Sequence, residues 1–264
     1  MNVFDSQHEF VDNNSVEASG YKLGSGDFLY QRFSNYVSPE QVKGLKVLDI
    51  GSKLGAAGAY VLSNGASKYV GVDFDPVFVK ASRENLKKYY DESKYEIILS
   101  DAETLMYHDK FDIVFVGRVL HQFKNSFLLL KTLSEIADSI VIEDLHPPQF
   151  ILNYLLEKNN VDNLQELKHE LEYNYPIHEC HSVDVVNFLS NYPFGNSDTV
   201  ISNPAHGSAY SIGFLRNIFR YWSFNLDLTG YEVMKKMYPN EYGLGKSNSL
   251  QECKKYIVKF NKNV

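Results

Sequence analysis

From Lys46 onward, short runs of β-branched and other apolar residues alternate with stretches whose apolar positions repeat at helical spacing. The apolar runs predict five strands, at 46–50, 68–73, 95–99, 111–116 and 139–145. The intervening stretches predict helices at 56–65, 76–90 and 125–137, the second beginning with Pro76 and the third capped by Asn125. Strands that alternate with helices are typical of an α/β fold with a parallel sheet.

The alternation stops after residue 145. Residues 147–206 contain two helical patterns and an acidic excess, which predict a helical insertion over one end of the sheet. A predicted helix at about 209–222 is followed by two strand-like runs, 223–234 and 254–260, which we expect to form an antiparallel pair at a sheet edge. The predicted organisation is an N-terminal helical cap (1–44), a core (45–146), an insertion or lid (147–206) and a segment that completes the core (207–264).

Charge and composition narrow the classes of function. The chain has 264 residues and a net charge of -7, and its acidic excess lies before residue 200, whereas the C-terminal segment is basic. This distribution argues against a broad nucleic-acid surface, which requires clustered Lys and Arg. With two cysteines, no secretory pattern at the N-terminus and no apolar run long enough to cross a bilayer, the expected location is the cytoplasm.

The stretch VLDIGSKLGAAGAY (47–60) is a predicted strand that turns into a helix through small residues. Glycines in such a loop let backbone N–H groups approach a ligand, although many turns of this kind are purely structural. Asp49, Asp73 and Asp101 lie at the tips of three successive predicted strands. Because ligands of open α/β sheets bind at the carboxyl ends of the strands, we expect these acids to face one crevice.

A dinucleotide is the first alternative for such a loop. NAD-binding loops follow the pattern G-x-G-x-x-G, whereas this loop has the spacing G-S-K-L-G-A-A-G. The spacing disfavours a dehydrogenase.

Four segments carry a resemblance to a known family. VLDIGSKLG, YVGVDFDP, ILSDAETL and FDIVFVGRVLHQF resemble, in order and spacing, the first four motifs of the class I S-adenosylmethionine-dependent methyltransferases. The resemblance covers residues 44–145. It implies a Rossmann-like seven-stranded sheet, parallel with an antiparallel C-terminal strand and with helices on both faces, and it implies S-adenosylmethionine as the cofactor.

The resemblance also implies roles for individual residues. The methionine part of the cofactor would lie against the first loop, the ribose on Asp73, the adenine between the second and third strand tips, and the sulfonium near the fourth. The implied cofactor residues are Asp49, Gly51, Ser52, Gly55, Asp73, Phe74, Asp101, Ala102 and Gly117. Lys53 departs from the pattern, which has a glycine there, so its side chain either faces solvent or reaches the cofactor carboxylate.

Methyl transfer to a hydroxyl needs a base, which we seek near the tips of the fourth and fifth strands. His146 is the first candidate, followed by His121 and Glu143, although either histidine could instead have a structural role. Glu143, Asp144 and His146 could alternatively bind a metal, but alternation along the strand places the two acids on opposite faces. The HECH run at 178–181 matches no common zinc spacing, and we therefore predict no metal site.

The insertion and the helix SAYSIGFLRNIFRYW are expected to form the substrate wall, with Tyr210, Arg216 and Arg220 as candidate contacts. The same positions also fit a packed helix with solvated arginines. The sequence resembles a narrower bacterial group that includes tRNA wobble-uridine enzymes and enzymes of surface-polysaccharide pathways. We expect O-methylation of a small acceptor such as an anionic sugar, a sugar nucleotide or a capsular polysaccharide precursor. The alternatives are a nucleic-acid methyltransferase and a non-catalytic cofactor-binding partner subunit.

Overall fold

The computed structural model describes residues 3–10, 26–123, 125–145, 212–239, 242 and 255–263. Seven strands form one sheet in the order β3-β2-β1-β4-β5-β7-β6. They are β1 (Lys46–Ile50), β2 (Lys68–Asp73), β3 (Tyr95–Leu99), β4 (Phe111–Gly117), β5 (Ala137–Leu145), β6 (Phe224–Asp227) and β7 (Lys255–Lys262). The first five strands are parallel, and β7 runs antiparallel between β5 and β6. This arrangement confirms the predicted Rossmann-like fold class.

The helices of the described residues flank this sheet. They are α1 (Gly26–Tyr36), α2 (Ala56–Ser63), α3 (Pro76–Lys87), α4 (Ser126–Ile136), α5 (Ile212–Tyr221) and α6 (Thr229–Met237). A short 3-10 helix, Leu120–Gln122, follows β4. The fifth strand begins two residues earlier than predicted, directly after α4.

Side-chain capping explains where α3 begins but not where α4 begins. The carboxylate of Asp75 accepts the Val77 N–H at 2.8 Å, and Pro76 occupies the first turn of α3. Asn125 lies at the start of α4 as predicted, but its side chain makes no capping hydrogen bond. Its backbone N–H instead donates to the carboxylate of Glu103.

The predicted strand at 223–234 is wrong in its second half. Only Phe224–Asp227 is a strand, and Thr229–Met237 is helix α6. The Asp227 carboxylate accepts the Thr229 N–H at 2.9 Å, which turns the chain out of the sheet. Beyond that turn, Tyr231 and Met234 are buried at i,i+3 spacing, as expected for one face of a helix.

Alternate residues of the central strands pack against different helical layers. Val47 of β1 belongs to a core shared with α1, α2 and α3, whereas Leu48 and Ile50 belong to a core shared with α4 and α5. In β5, Val141 is in the first core and Ile142 is in the second. Helices therefore cover both faces of the sheet, and α1 lies on the same face as α2.

Several sequence predictions fall outside the described residues. They are the insertion at 147–206, the HECH run, His146 and Tyr210. The predicted domain limits stay predictions. No helix in the described part of the chain is both long and apolar enough to cross a membrane.

Candidate functional site

A cavity of about 850 Å³ opens at the carboxyl ends of the parallel strands. Its walls come from the loop after β1, the tips of β2, β3 and β4, the 3-10 helix after β4, and the inner face of α1. Its volume lies in the upper part of the range of small-molecule pockets, which is roughly 300–1,000 Å³. The cavity can therefore hold a nucleoside-sized molecule together with a second, smaller one.

The loop after β1 is held against β2. The N–H groups of Gly51 and Ser52 donate to Val72 O at 2.8 and 3.1 Å, and the N–H of Lys53 donates to the Asp73 carboxylate at 2.8 Å. Gly51 has a φ of 79°, and a Cβ there would lie 2.5 Å from a methyl group of Val119. Glycine is therefore required both by the turn and by the close approach of the β4 segment.

Lys53, the departure from the family pattern, adopts the backbone conformation that a glycine would supply. Its φ is 47°, in the left-handed region that non-glycine residues seldom occupy. Its side chain is exposed, and the ammonium lies 5.7 Å from the centroid of the Phe78 ring, within the range of a cation–π contact. The chain thus keeps the turn geometry of the loop at a cost in backbone strain.

The difference in the free energy of unfolding between Lys53→Gly and Lys53→Ala should measure the strain of the positive φ separately from the loss of the lysine side chain. Both variants remove the ammonium, but only glycine tolerates the positive φ without a steric penalty, so we expect the glycine variant to be more stable by about 1 kcal/mol. Urea denaturation of the two proteins measures the difference. Equal stabilities would mean that the loop relaxes to another conformation when the lysine is removed.

Asp49 is a buried carboxylate at the base of the loop. It is 6% exposed, and Tyr69 donates a hydrogen bond to its Oδ2 at 2.8 Å. Burial raises the pKa of Asp49 to about 6, even though the Tyr69 hydroxyl and the positive charge of Arg32 both favour the ionised form. A buried carboxylate of this kind can accept a cationic group from a ligand at neutral pH.

Asp73, at the tip of β2, joins the loop to the next helix. One carboxylate oxygen accepts the Lys53 N–H, and the other accepts the Asp75 N–H at 3.0 Å. The residue is 7% exposed and lines the cavity. Each carboxylate oxygen has two acceptor positions, so Asp73 can still accept hydroxyl groups from a ligand.

The β3 side of the cavity combines an acid with a flat apolar face. Asp101 is exposed, and its carboxylate accepts the Glu103 N–H at 2.9 Å. Ala102 is buried beside it, whereas the Phe74 ring is 71% exposed at the cavity wall. Phe74 therefore offers a stacking surface next to polar groups.

Gly117, at the tip of β4, packs against α1. A Cβ at this position would lie 2.7 Å from Nη2 of Arg32 and 3.1 Å from the Tyr36 hydroxyl. Both side chains line the cavity, as does Arg118, which has a φ of 65°. The absence of a side chain at Gly117 lets the guanidinium approach the strand tip closely.

Glu143 of β5 is the centre of a buried polar cluster, which we call the Glu143 cluster. Its two carboxylate oxygens accept hydrogen bonds from Arg32 Nε, from the Tyr36 hydroxyl and, at 2.7 Å, from the Tyr242 hydroxyl. The carboxylate is fully buried, whereas 12% of the Arg32 side chain is exposed. Burial alone would raise the pKa of Glu143, but the nearby arginines and tyrosines lower it below its ordinary value.

The structure brings most of the predicted cofactor residues together. Those that line the cavity are Asp49, Gly51, Ser52, Asp73, Phe74, Asp101, Ala102 and Gly117. Gly55 does not line it, because this glycine forms the N-cap of α2 and packs against Ser82. In the described part of the structure, the acids at the strand tips therefore line one crevice, as expected from the sequence.

The predicted catalytic and substrate residues, in contrast, do not all lie at the cavity. His121 lies in the 3-10 helix Leu120–Gln122, next to the cavity-lining Gln122, but its side chain is outside the described part of the structure. Glu143 is beneath the cavity wall and does not line it. Arg216 and Arg220 lie on α5 and do not line this cavity either.

Sequence reasoning missed the contribution of α1. Arg32 and Tyr36 occur at i,i+4 in this helix, which places them on one face, but nothing local indicates that this face meets the strand tips. Sequence reasoning also missed Arg118. Its position in the motif FDIVFVGRVLHQF, directly after Gly117 at the strand tip, was the signal that could have identified it. Among the described residues, no group of three His, Cys, Asp or Glu side chains could hold a metal ion.

Part of the chain is similar to a known domain family. Residues 48–139 match a family model described as a methyltransferase domain. No curated protein sequence matches the chain.

Solved structures share the fold at low sequence identity. The YcgJ protein from Bacillus subtilis is 15% identical, with a TM-score of 0.55 over 89% of this chain and 99% of that protein. The magnesium protoporphyrin IX methyltransferase from Synechocystis PCC 6803 is 14% identical, with a TM-score of 0.53 over 90% and 83%. An S-adenosylmethionine-dependent methyltransferase from Mesorhizobium loti is 14% identical, with a TM-score of 0.52 over 90% and 99%. Residues 48–139 thus match a methyltransferase domain model, and the chain shares its fold with these proteins.

Proposed function

We propose that this protein transfers the methyl group of S-adenosylmethionine to a hydroxyl of a small acceptor. The observation that carries the proposal is that acids from three successive strand tips, Asp49, Asp73 and Asp101, line one cavity within the matched methyltransferase domain. The magnesium protoporphyrin IX methyltransferase that shares the fold has been solved with bound S-adenosylhomocysteine and with bound S-adenosylmethionine, which supports the choice of cofactor.

The residues present fit this cofactor. The Ser52 hydroxyl is buried and has no hydrogen-bond partner among the described residues, so a polar ligand group would satisfy it. The raised pKa of Asp49 indicates a carboxylate that lacks full compensation for its burial, and a cationic amino group would supply it. Gly51, in the loop after β1, and Gly117, at the tip of β4, both line the cavity, and neither has a side chain that would cover its backbone.

Each part of the cofactor would then have named partners. Asp49, Gly51 and Ser52 would hold the methionine part, with Gly55 fixing the turn. Asp73 would accept from the ribose hydroxyls, while Phe74, Asp101 and Ala102 would contact the adenine. When bound, the cofactor supplies an electrophilic methyl group on a sulfonium, which we place near Gly117.

The protein's own task is to align the acceptor and to remove its proton. His146 and His121 stay our candidates for the base. Because Arg32, Tyr36 and Tyr242 all donate to the Glu143 carboxylate, and its pKa is lowered, we assign Glu143 a positioning role rather than proton removal. The acceptor class we propose is a sugar or a capsular polysaccharide precursor in the cytoplasm, on the basis of the narrower resemblance described above.

Asp73→Ala is expected to raise the dissociation constant for S-adenosylmethionine tenfold or more, a loss of about 1.4 kcal/mol or above. The substitution removes the proposed ribose acceptor, and it also frees the loop N–H that Asp73 holds. Isothermal titration calorimetry measures the change directly. If the wild-type protein shows no binding at millimolar cofactor, the proposed function is wrong.

Asp75→Ala provides a matched control two residues away. Asp75 caps α3 and does not line the cavity, so its loss should cost about 1 kcal/mol of stability and leave cofactor affinity unchanged. An equal loss of affinity in both variants would mean that Asp73 acts through the fold and not through the ligand.

A further inference from the structure

We propose that Arg32 and Arg118 form an anion-binding subsite that holds a carboxylate or phosphate group of the methyl acceptor. This inference rests on the proposed function, and it identifies the chemical class of acceptor that the same cavity selects. It replaces the expectation that Arg216 and Arg220 supply this charge, since neither residue lines the cavity.

The position of the two arginines is the first argument. The proposed cofactor residues occupy the tips of β3, β2 and β1, and the sheet continues in the order β4 and β5. Arg118 follows the β4 tip, and Arg32 packs on Gly117 at that tip. The arginines therefore stand beyond the proposed methyl position, on the side of the cavity where an acceptor must enter.

The hydrogen bonds of Arg32 are the second argument. Among the described residues, its guanidinium donates only through Nε, to Glu143 and, at 3.1 Å, to the Tyr36 hydroxyl. Within the described part of the chain the Nη groups thus keep donors for a ligand, and the side chain, which lines the cavity, is 12% exposed. A guanidinium anchored through Nε is a preorganised fork, the geometry that suits carboxylate and phosphate oxygens.

The rigid support of this fork is the third argument. Glu143 is fully buried and binds Arg32 from below, and Tyr242 binds the other carboxylate oxygen. The guanidinium also lies 5.2 Å from the Phe33 ring centroid and 5.5 Å from that of Tyr36. The orientation of Arg32 is therefore set before a ligand binds, which reduces the entropy lost on binding.

Charge and backbone strain at Arg118 are the fourth argument. Among the described charged residues that line the cavity, Arg32 and Arg118 lie on the β4 side, where both act on the buried Glu143 carboxylate, whereas the acids lie at the tips of β1, β2 and β3. An acceptor anion on the β4 side would therefore lie nearest to these two positive charges. Arg118 is also held at a φ of 65°, a conformation that costs roughly 1–2 kcal/mol for a non-glycine residue. Strain of this kind is concentrated at functional sites, where the side chain has a use that offsets it.

The test compares an anion with its neutral isostere. Benzoate, benzamide and phenyl phosphate are titrated into the full-length protein by calorimetry, and S-adenosylmethionine is titrated separately. We expect benzoate or phenyl phosphate to bind at least tenfold more tightly than benzamide. The tighter of the two anions identifies whether the acceptor group is a carboxylate or a phosphate. Equal affinity for benzoate, phenyl phosphate and benzamide would overturn the inference.

Two variants locate the subsite. Arg32→Lys keeps the charge but loses the fork, and it should weaken anion binding roughly tenfold or more while cofactor affinity stays within twofold. Arg118→Gly relieves the positive φ, so this variant should be more stable than wild type yet bind the anion more weakly. Arg83→Lys is the matched control, because Arg83 donates to Ile97 O and does not line the cavity.

The outcomes separate this inference from the proposed function. Anion binding that is unchanged in both Arg32→Lys and Arg118→Gly would overturn the subsite, even if the cofactor binds normally. Loss of anion affinity in these variants supports it. Failure of S-adenosylmethionine to bind, with anion binding intact, would contradict the proposed function alone.

Discussion

Glu143→Ala is expected to lower the free energy of unfolding by about 3–5 kcal/mol, because it removes one partner of a buried ion pair. Arg32 would keep its positive charge on a side chain that is only 12% exposed, and the hydroxyls of Tyr36 and Tyr242 would lose their shared acceptor. The cavity left by the carboxylate adds to the loss. The expected fall in melting temperature is on the order of 10 °C.

Differential scanning calorimetry and urea denaturation measure this loss. Glu135→Ala is the matched control, since Glu135 is exposed and pairs with Lys131 at 3.0 Å on the surface of α4, where ion pairs contribute about 1 kcal/mol or less. Tyr242→Phe removes one of the hydrogen bonds to the carboxylate and should have an intermediate effect of about 1–3 kcal/mol. If Glu143→Ala is no less stable than Glu135→Ala, the Glu143 cluster does not stabilise the fold.

Asp49→Asn should raise the free energy of unfolding at pH 7 by about 3 kcal/mol, since a shift of the pKa by about two pH units corresponds to that energy. Burial raises the pKa of Asp49 from 3.8 to about 6 in the folded state. The protonated form is therefore favoured by folding, and this group's contribution to stability is complete below pH 3.8 and lost as the pH rises to about 6. Asparagine is neutral at every pH and can still accept the Tyr69 hydrogen bond.

The stability of wild type and variant as a function of pH tests this expectation. The difference between them should be large at pH 7 and should shrink as the pH falls from 6 to 4. Asp138→Asn, at an exposed position near the start of β5, controls for the change in net charge and should shift stability by less than about 0.5 kcal/mol. In contrast, cofactor affinity should fall in Asp49→Asn, and a variant that gains stability and keeps full affinity would remove Asp49 from the proposed site.

The sequence predicted the strand tips well because their placement follows from one rule. Parallel strands end at the same edge, so Asp49, Asp73 and Asp101 had to converge once the βαβ alternation was recognised. Strand limits were also well defined, since the apolar runs are short and bounded by polar residues. The main shift was in β5, which begins directly after α4 without a connecting loop.

One error arose where local pattern and tertiary contact disagree. The run at 223–234 alternates apolar and polar residues as a strand does, but the Asp227 turn redirects the chain into a helix. Arg216 and Arg220 lie on α5, whose apolar residues Leu215 and Phe219 pack on the sheet, and they do not line the described cavity. Their role as substrate contacts stays a prediction.

Arg32 was missed for a different reason. Its importance depends on Glu143, on Gly117 and on the side of the sheet that α1 covers, and none of these is a local property of the helix. Lys53 shows the converse case, in which the departure was seen in the sequence but its solution, a left-handed lysine, required the structure.

The Glu143 cluster can form only late in the synthesis of the chain, because its members are far apart in the sequence. Glu143 binds Arg32 and Tyr36, which precede it by 111 and 107 positions, and Tyr242, which follows it by 99. At ribosomal rates of about 5–20 residues per second, each separation corresponds to a wait of roughly 5–20 seconds. Helix α1 therefore leaves the ribosome long before its buried partner exists, and the arginine wall of the cavity is among the last parts of the described structure to form.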